Sequence, residues 1–380
     1  MEIYFDNSAT TKPYKSVCDT MSEVMSEFYG NPSSLHRKGK MSEDLMESCR
    51  ETIAKSIGAK SEEIIFTSGG TESDNLAIIG YCMANKRRGN RLVTSKIEHP
   101  AVLESFKYLE AIGFEVIYAD VDEDGIVDVE KLKEIITDGT LLVSVMHVNN
   151  ETGAVQPVEE IGKIAHSVGA AFHIDGVQSY GKIKINVKTL GADLFTISAH
   201  KVHGPKGIGC LYVKKGVRIF PIIHGGGQER GLRSSTENLP AISGFARASE
   251  MVMEKFQENT SEMSEVKKYF YENLCKRIDD VTLNTPQNSV CSVLNVSFVG
   301  VKSEVLLHVL EDKGIYVSSG SACSSHKKGK SHVLTAMGKK DSVIDSSLRF
   351  SFCGENTIEE AEYTLGVLEE QVPLLRKIMR

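Results

Sequence analysis

This sequence predicts an α/β fold in which a mostly parallel, seven-stranded sheet is covered by helices on both faces and followed by a smaller α+β unit. Three observations carry the prediction. Seven short apolar runs alternate with stretches of helical period between Ile64 and Val213. Asp175 ends one run and Lys201 lies three residues past Ser198, the end of the next, so consecutive strands would bring a carboxylate and an amine to one crevice. Finally, 380 residues, 41% of them hydrophobic, are too many for one compact core and favour two domains.

Val17, Met21, Val24, Met25 and Phe28 recur at helical intervals before Gly30, and Met41, Leu45, Cys49, Ile53 and Ile57 repeat the pattern, so two amphipathic helices open the chain. The runs Ile64 to Thr67, Leu92 to Ser95, Phe114 to Ala119, Leu141 to Val148, Ala171 to Ile174, Leu194 to Ser198 and Gly209 to Val213 read as buried strands. A long helical region over roughly 240 to 279 then bridges to the α+β unit. There Val293 to Phe298, Ile315 to Ser318 and Leu348 to Phe352 read as strands, with one helix from Ser303 and another at the end. Ser319 to Ser331, rich in Gly, Ser and Lys, is the least regular stretch and reads as a loop.

A formal net charge of −7 and a pI near 5.9 argue against a general nucleic-acid or membrane-surface binder, because such surfaces need excess Lys and Arg. The eight cysteines are scattered without a CxxC pair, so neither a disulfide framework nor a structural metal site is expected. The first residues, Met1 to Asp6, lack the pattern of a secretory signal, and no apolar run approaches a membrane span. A cytoplasmic location with no membrane and no direct nucleic-acid partner is the expectation.

A lysine in a dry crevice can form a Schiff base with an aldehyde, and a carboxylate beside it can keep a pyridine nitrogen protonated; Lys201 and Asp175 therefore suggest pyridoxal 5'-phosphate. Thr67-Ser68-Gly69-Gly70-Thr71-Glu72 follows a strand and opens a helix, where backbone N–H groups and a hydroxyl could receive a phosphate, although a Gly-Gly turn with a capping Thr is also common at helix starts. His99, in Glu98-His99-Pro100, could stack on a flat ring and move protons, or simply begin a helix. Asn149-Asn150-Glu151-Thr152-Gly153 ends another strand, and Gln178 lies three residues beyond Asp175, within reach of a ring hydroxyl if the turn folds back. No carboxylate or thiolate cluster accompanies His200 and His203, so no metal site is expected.

Gly225 to Thr236 reads as a flexible, cationic loop able to reach an anion on its own chain or on a partner subunit. Cys323 sits in a hydrophilic stretch followed by His326, Lys327, Lys328 and Lys330, cationic surroundings that favour its thiolate. Arg349, between apolar strand residues, either grips a carboxylate bidentately in a crevice or forms a structural ion pair.

Taken together, Phe5 to Thr11, Thr67 to Asn75, Glu98-His99, His147 to Gly153, His173 to Gln178, Ser198 to Lys201, Gly225 to Thr236 and Ser318 to Cys323 resemble the cysteine desulfurases, class V members of the fold-type I pyridoxal-phosphate-dependent transferases. The likeness runs essentially end to end. It implies a homodimer with a large coenzyme-binding domain over 15–255 and a small domain made of 1–14 and 256–380. It implies Lys201 as the residue that carries the coenzyme, His99 stacked on the ring and moving protons, and Asp175 on the ring nitrogen, with Gln178 and Asn150 near the ring hydroxyl. Phosphate would be held by Gly70, Thr71, Ser198 and His200, together with Thr236 of the partner subunit. Arg349, with Asn150, would hold the carboxylate of L-cysteine, and Cys323 would take its sulfur as a persulfide while alanine leaves. The spacing from Cys323 to Arg349 resembles the long-loop branch, whose cysteine hands sulfur to an acceptor protein, either an iron–sulfur scaffold or a tRNA-thiolation enzyme. The lysines after Cys323 favour an acidic docking surface and thus the second of these. A selenocysteine lyase or aminotransferase of the same class would keep Lys201 and Asp175 but need Cys323 less.

Overall fold

Seven strands, β2 to β8, build the central sheet of this computed structural model, which describes residues 2–320 and 330–379. In chain order they are β2 (Ile64–Thr67), β3 (Arg91–Ser95), β4 (Glu115–Ala119), β5 (Thr140–Met146), β6 (Ala171–Asp175), β7 (Leu194–Ser198) and β8 (Gly209–Val213), arranged β2-β8-β7-β6-β5-β3-β4. All pairings are parallel except those of β8, which runs antiparallel to both β2 and β7. Every residue of β5 to β8 is buried, which explains their unbroken apolar runs, whereas the edge strand β4 stays partly open. One apolar cluster, with Phe172, Phe195 and Phe245, fills one face of the sheet, and a second, with Leu76, Phe106 and Leu142, fills the other.

A separate apolar cluster gathers Phe270, Leu294, Phe298, Leu306, Phe350 and Leu365 around a three-stranded antiparallel sheet of β9 (Val281–Leu283), β10 (Val293–Phe298) and β12 (Ser347–Ser351). The start of the chain joins it. Strand β1 (Ile3–Tyr4) pairs with β11 (Ile315–Tyr316), and Phe5 packs its ring edgewise on Phe270 and Phe352. Among the described residues, no helix is long and apolar enough to cross a membrane.

Two expectations are corrected. The long helical region breaks at Lys255 into helices Leu239–Glu254 and Phe256–Arg277, because Lys255 takes φ −96° and ψ 15°, outside the helical geometry. The loop Gly225 to Thr236, read as flexible, is tied down by buried charges that lie far away in sequence. Glu229 accepts both terminal nitrogens of Arg50 at 2.8 Å and the Phe66 N–H at 2.8 Å, while the Arg50 guanidinium lies 4.7 Å from the Phe66 ring centre. Arg233 in turn pairs with Glu72 at 2.9 Å.

Breaking this buried, doubly bonded pair leaves the Arg50 charge only Glu47, half exposed, at 3.0 Å. Glu229→Gln should therefore lower stability by about 3 kcal/mol. The measurement is a urea titration followed by far-UV circular dichroism, since the chain has no tryptophan to report by fluorescence.

Candidate active site

At the carboxyl ends of β2, β5, β6 and β7 the sheet opens into a cleft of about 150 Å³. Gly70, Thr71, His99, Asn150, Asp175, Gln178, Ser198, His200, Lys201 and Arg349 line it, which brings together ten of the residues singled out in the sequence. Thr236 is exposed and does not line the cleft of its own chain. Cys323 lies outside the described residues, as do His326, Lys327 and Lys328.

The register explains the meeting of Asp175 and Lys201. Asp175 is opposite Thr196 in the β6–β7 pair, and β7 runs directly into the single 3₁₀ turn Ala199–Lys201. The Lys201 Nζ donates to the carbonyls of Ser8 and Ala9, both at 2.7 Å, so the N-terminal segment forms the floor on which the amine rests. Asp175 accepts the Val177 N–H at 2.9 Å; burial pushes its carboxyl up to about 6, against the opposing pull of that hydrogen bond and the Lys201 charge.

The turn after β2 is shaped for close approach. Gly69 takes φ +152°, and a Cβ on Gly70 would come within 2.9 Å of Val177, so only glycines let the turn lie against the Asp175 loop. Behind it, the Ser198 hydroxyl is buried with no hydrogen-bond partner among the described residues. His99 is both helix cap and cleft wall: its Nδ1 accepts the Ala101 N–H at 3.2 Å at the start of helix Pro100–Ala111. Burial, with the charges of Lys201 and His332, pushes it down to about 4, so near neutrality the ring is uncharged and its one proton sits on Nε2. His200 is pushed down to about 3, first by burial and then by neighbouring lysines.

Arg349 makes the structural ion pair of its second sequence reading while lining the crevice of the first. Its guanidinium is 1% exposed, pairs with Asp6 at 2.9 Å and donates to the Asn150 carbonyl at 2.8 Å, yet Nε has no partner and the side chain lines the cleft. The sequence reading missed a polar layer beneath the cleft. His173 bonds Ser144 at 2.8 Å and Thr196 at 3.1 Å and lies 3.6 Å from Asp74, whose Oδ1 has no hydrogen-bond partner. Burial, reinforced by the Asp175 charge, holds the Asp74 carboxyl well above the usual range, and burial alone pushes His173 down to about 3. The signal was available: His173 and Asp175 are two apart on one strand and so share a face.

The aminotransferase class-V family model matches residues 3–364. Among curated proteins, the chain is 45% identical over 378 residues to the cysteine desulfurase IscS of Dictyoglomus turgidum, covering 99% of this chain and 96% of that one. It is 44% identical over 377 residues to the protein of the same name from Methanosarcina thermophila, covering 99% and 93%. A solved structure described as a NifS-like protein superposes with a TM-score of 0.93 at 40% identity, covering 99% of this chain and all of that one. A NifS-like protein from Rickettsia africae gives 0.88 at 33% identity, covering 97% and 99%. Proteins of this class depend on pyridoxal 5'-phosphate. The cleft fits that coenzyme: an amine for its aldehyde, a buried acid in need of a cation, and an unpaired buried hydroxyl beside a glycine turn. By sequence and by fold, the chain belongs to the aminotransferase class-V family, within its cysteine desulfurase group.

Proposed function

We propose that this protein is a pyridoxal-phosphate-dependent cysteine desulfurase that converts L-cysteine to L-alanine and leaves the sulfur as a persulfide on Cys323. The observation that carries the reading is the convergence, in one cleft, of the Lys201 amine, the buried Asp175 carboxyl and the partnerless Nε of Arg349. When bound, the coenzyme withdraws electrons from the substrate carbons. Asp175 opposes its ring nitrogen: a cation there favours the ionised carboxylate that burial alone disfavours. Gly70, Thr71, Ser198 and His200 would hold the phosphate, and Asn150 and Gln178 would serve the ring hydroxyl. The substrate carboxylate docks on Arg349, and the neutral His99 ring takes and returns a proton.

The Cys323 thiolate attacks the substrate sulfur; an S–S bond forms as the substrate C–S bond breaks, and the departing electron pair stays on carbon, which a proton then completes to alanine. The sulfur goes on to acceptor proteins of iron–sulfur cluster assembly. The reading includes a homodimer, as the family resemblance implies, in which Thr236, exposed and outside its own chain's cleft, serves the partner's phosphate site. The lysines following Cys323 favour an acidic acceptor surface, and on that ground a tRNA-thiolation enzyme is a second outlet.

Purified protein given L-cysteine should release alanine, and Cys323→Ala should bring that release to background while the yellow of the bound coenzyme persists; a colourless protein that no added coenzyme turns yellow sinks the proposal. Reversing the charges of Lys327 and Lys328 should slow sulfur transfer to an acidic acceptor by a larger factor than it slows single-turnover alanine release, as followed with labelled sulfur. A third expectation concerns coenzyme-free protein. An acid raised from 3.8 to about 6 on folding binds its proton more tightly when folded, so its stabilising contribution falls as pH rises from about 4 to 6 and stays low above. Asp175→Asn should then be more stable than the parent at pH 7.5, by about 1–3 kcal/mol, with the gain fading below pH 4 in denaturant titrations.

A further inference from the structure

Asp175, Gln178 and Lys182 come from one tight turn. The Tyr180 N–H donates to the Gly176 carbonyl at 2.9 Å and the Lys182 N–H to that of Ser179 at 3.0 Å, which places residues 178 and 182 one helical turn apart. Gly181 makes the inward path possible. It takes φ +74°, and a Cβ there would meet Val252 and Val202 at 2.7 and 2.8 Å. Lys182 is thereby turned into a small cavity on the far side of Lys201, which it shares with Thr11, His203 and Cys353. Its Nζ donates to Gln178 Oε1 at 2.9 Å, and among the described residues it has no carboxylate partner.

Burial draws the Lys182 amine down to about 7; in its protonated form it has three donors and no acceptor, whereas an amide presents oxygen at one end and nitrogen at the other. The atom of Gln178 that faces Lys182 must therefore be the oxygen. The amide nitrogen then faces the opposite way, where it donates to the Ser8 carbonyl at 3.0 Å, the same carbonyl that receives Lys201. Its second N–H remains for an acceptor in the cleft that Gln178 lines.

We propose that Lys182 is a positioning residue: by holding Gln178 Oε1 it fixes which end of the amide faces the cleft and keeps an N–H there for the coenzyme. The inference rests on the coenzyme reading above and adds to it a residue that touches neither coenzyme nor substrate. A lysine acting only through Gln178 has no effect once Gln178 is gone, which a double-mutant cycle measures.

The test is equilibrium titration of the full-length coenzyme-free protein with pyridoxal 5'-phosphate, read by absorbance, for the parent, Lys182→Met, Gln178→Ala and the double variant. Lys182→Met should weaken binding about tenfold, the scale of one charge-assisted hydrogen bond. The double variant should bind no more weakly than Gln178→Ala alone, and Lys182→Arg, which keeps the donor, should restore binding to within about threefold of the parent. Losses that multiply in the double variant overturn the proposal, as does unaltered binding by Lys182→Met. If Lys182→Met does not fold, Lys182→Ala, which also removes the donor, replaces it in the same cycle with the same criteria. A parent that takes up no colour overturns the underlying coenzyme reading as well, whereas a coloured parent with independent variants overturns the role of Lys182 alone.

Discussion

A carboxylate at the end of a wholly buried strand is costly, and much of the site is arranged around that cost at Asp175. All five residues of its strand are buried, and the neighbouring ionisable groups in the polar layer do not offset its charge. His173 is held neutral by burial, and the Asp74 carboxyl is held well above its usual range by burial and by the Asp175 charge. Two acids and an uncharged imidazole in a dry layer cannot all be satisfied from within. The energy that the fold forgoes there becomes a preference for a cation in the cleft.

The same cleft keeps its imidazoles uncharged and its long cations in place. Lys201 is steadied by two main-chain carbonyls and Arg349 by Asp6 and the Asn150 carbonyl, so each long side chain is fixed where it lines the cleft. His99, deprived of its proton by burial, can exchange one at Nε2 without adding charge to the wall in its resting form. Division of labour between fixed cations and a neutral proton carrier follows from depth in the fold rather than from residue type.

Much of this was legible in the sequence because strand ends are legible. The seven apolar runs became the seven sheet strands with shifts of one or two residues at their ends, and with them Asp175, Ser198, Lys201, Asn150 and the Gly69-Gly70 turn fell into place. What stayed hidden depends on contacts between distant segments. Nothing local to Glu229 announces Arg50, 179 positions away, so a loop of Gly, Gln and Arg reads as loose until its buried pair is seen. Nothing local marks Lys182 either, because its inward path is set by the space Gly181 leaves against Val202 and Val252. The break at Lys255 escapes notice for the opposite reason: the residues on both sides are good helix formers, and a single backbone conformation ends the run.

The opening residues of the chain belong to two places at once. Ile3 and Phe5 are anchored in the C-terminal apolar cluster, the Ser8 N–H donates to the Ser351 hydroxyl 343 positions away, and the carbonyls of Ser8 and Ala9 carry Lys201. During synthesis residues 3–9 must therefore wait for residues 347–351 before they can settle. A nascent chain can complete its central sheet early, but it cannot finish the seat of Lys201 until β12 emerges, so the floor under that amine forms after the sheet that carries it.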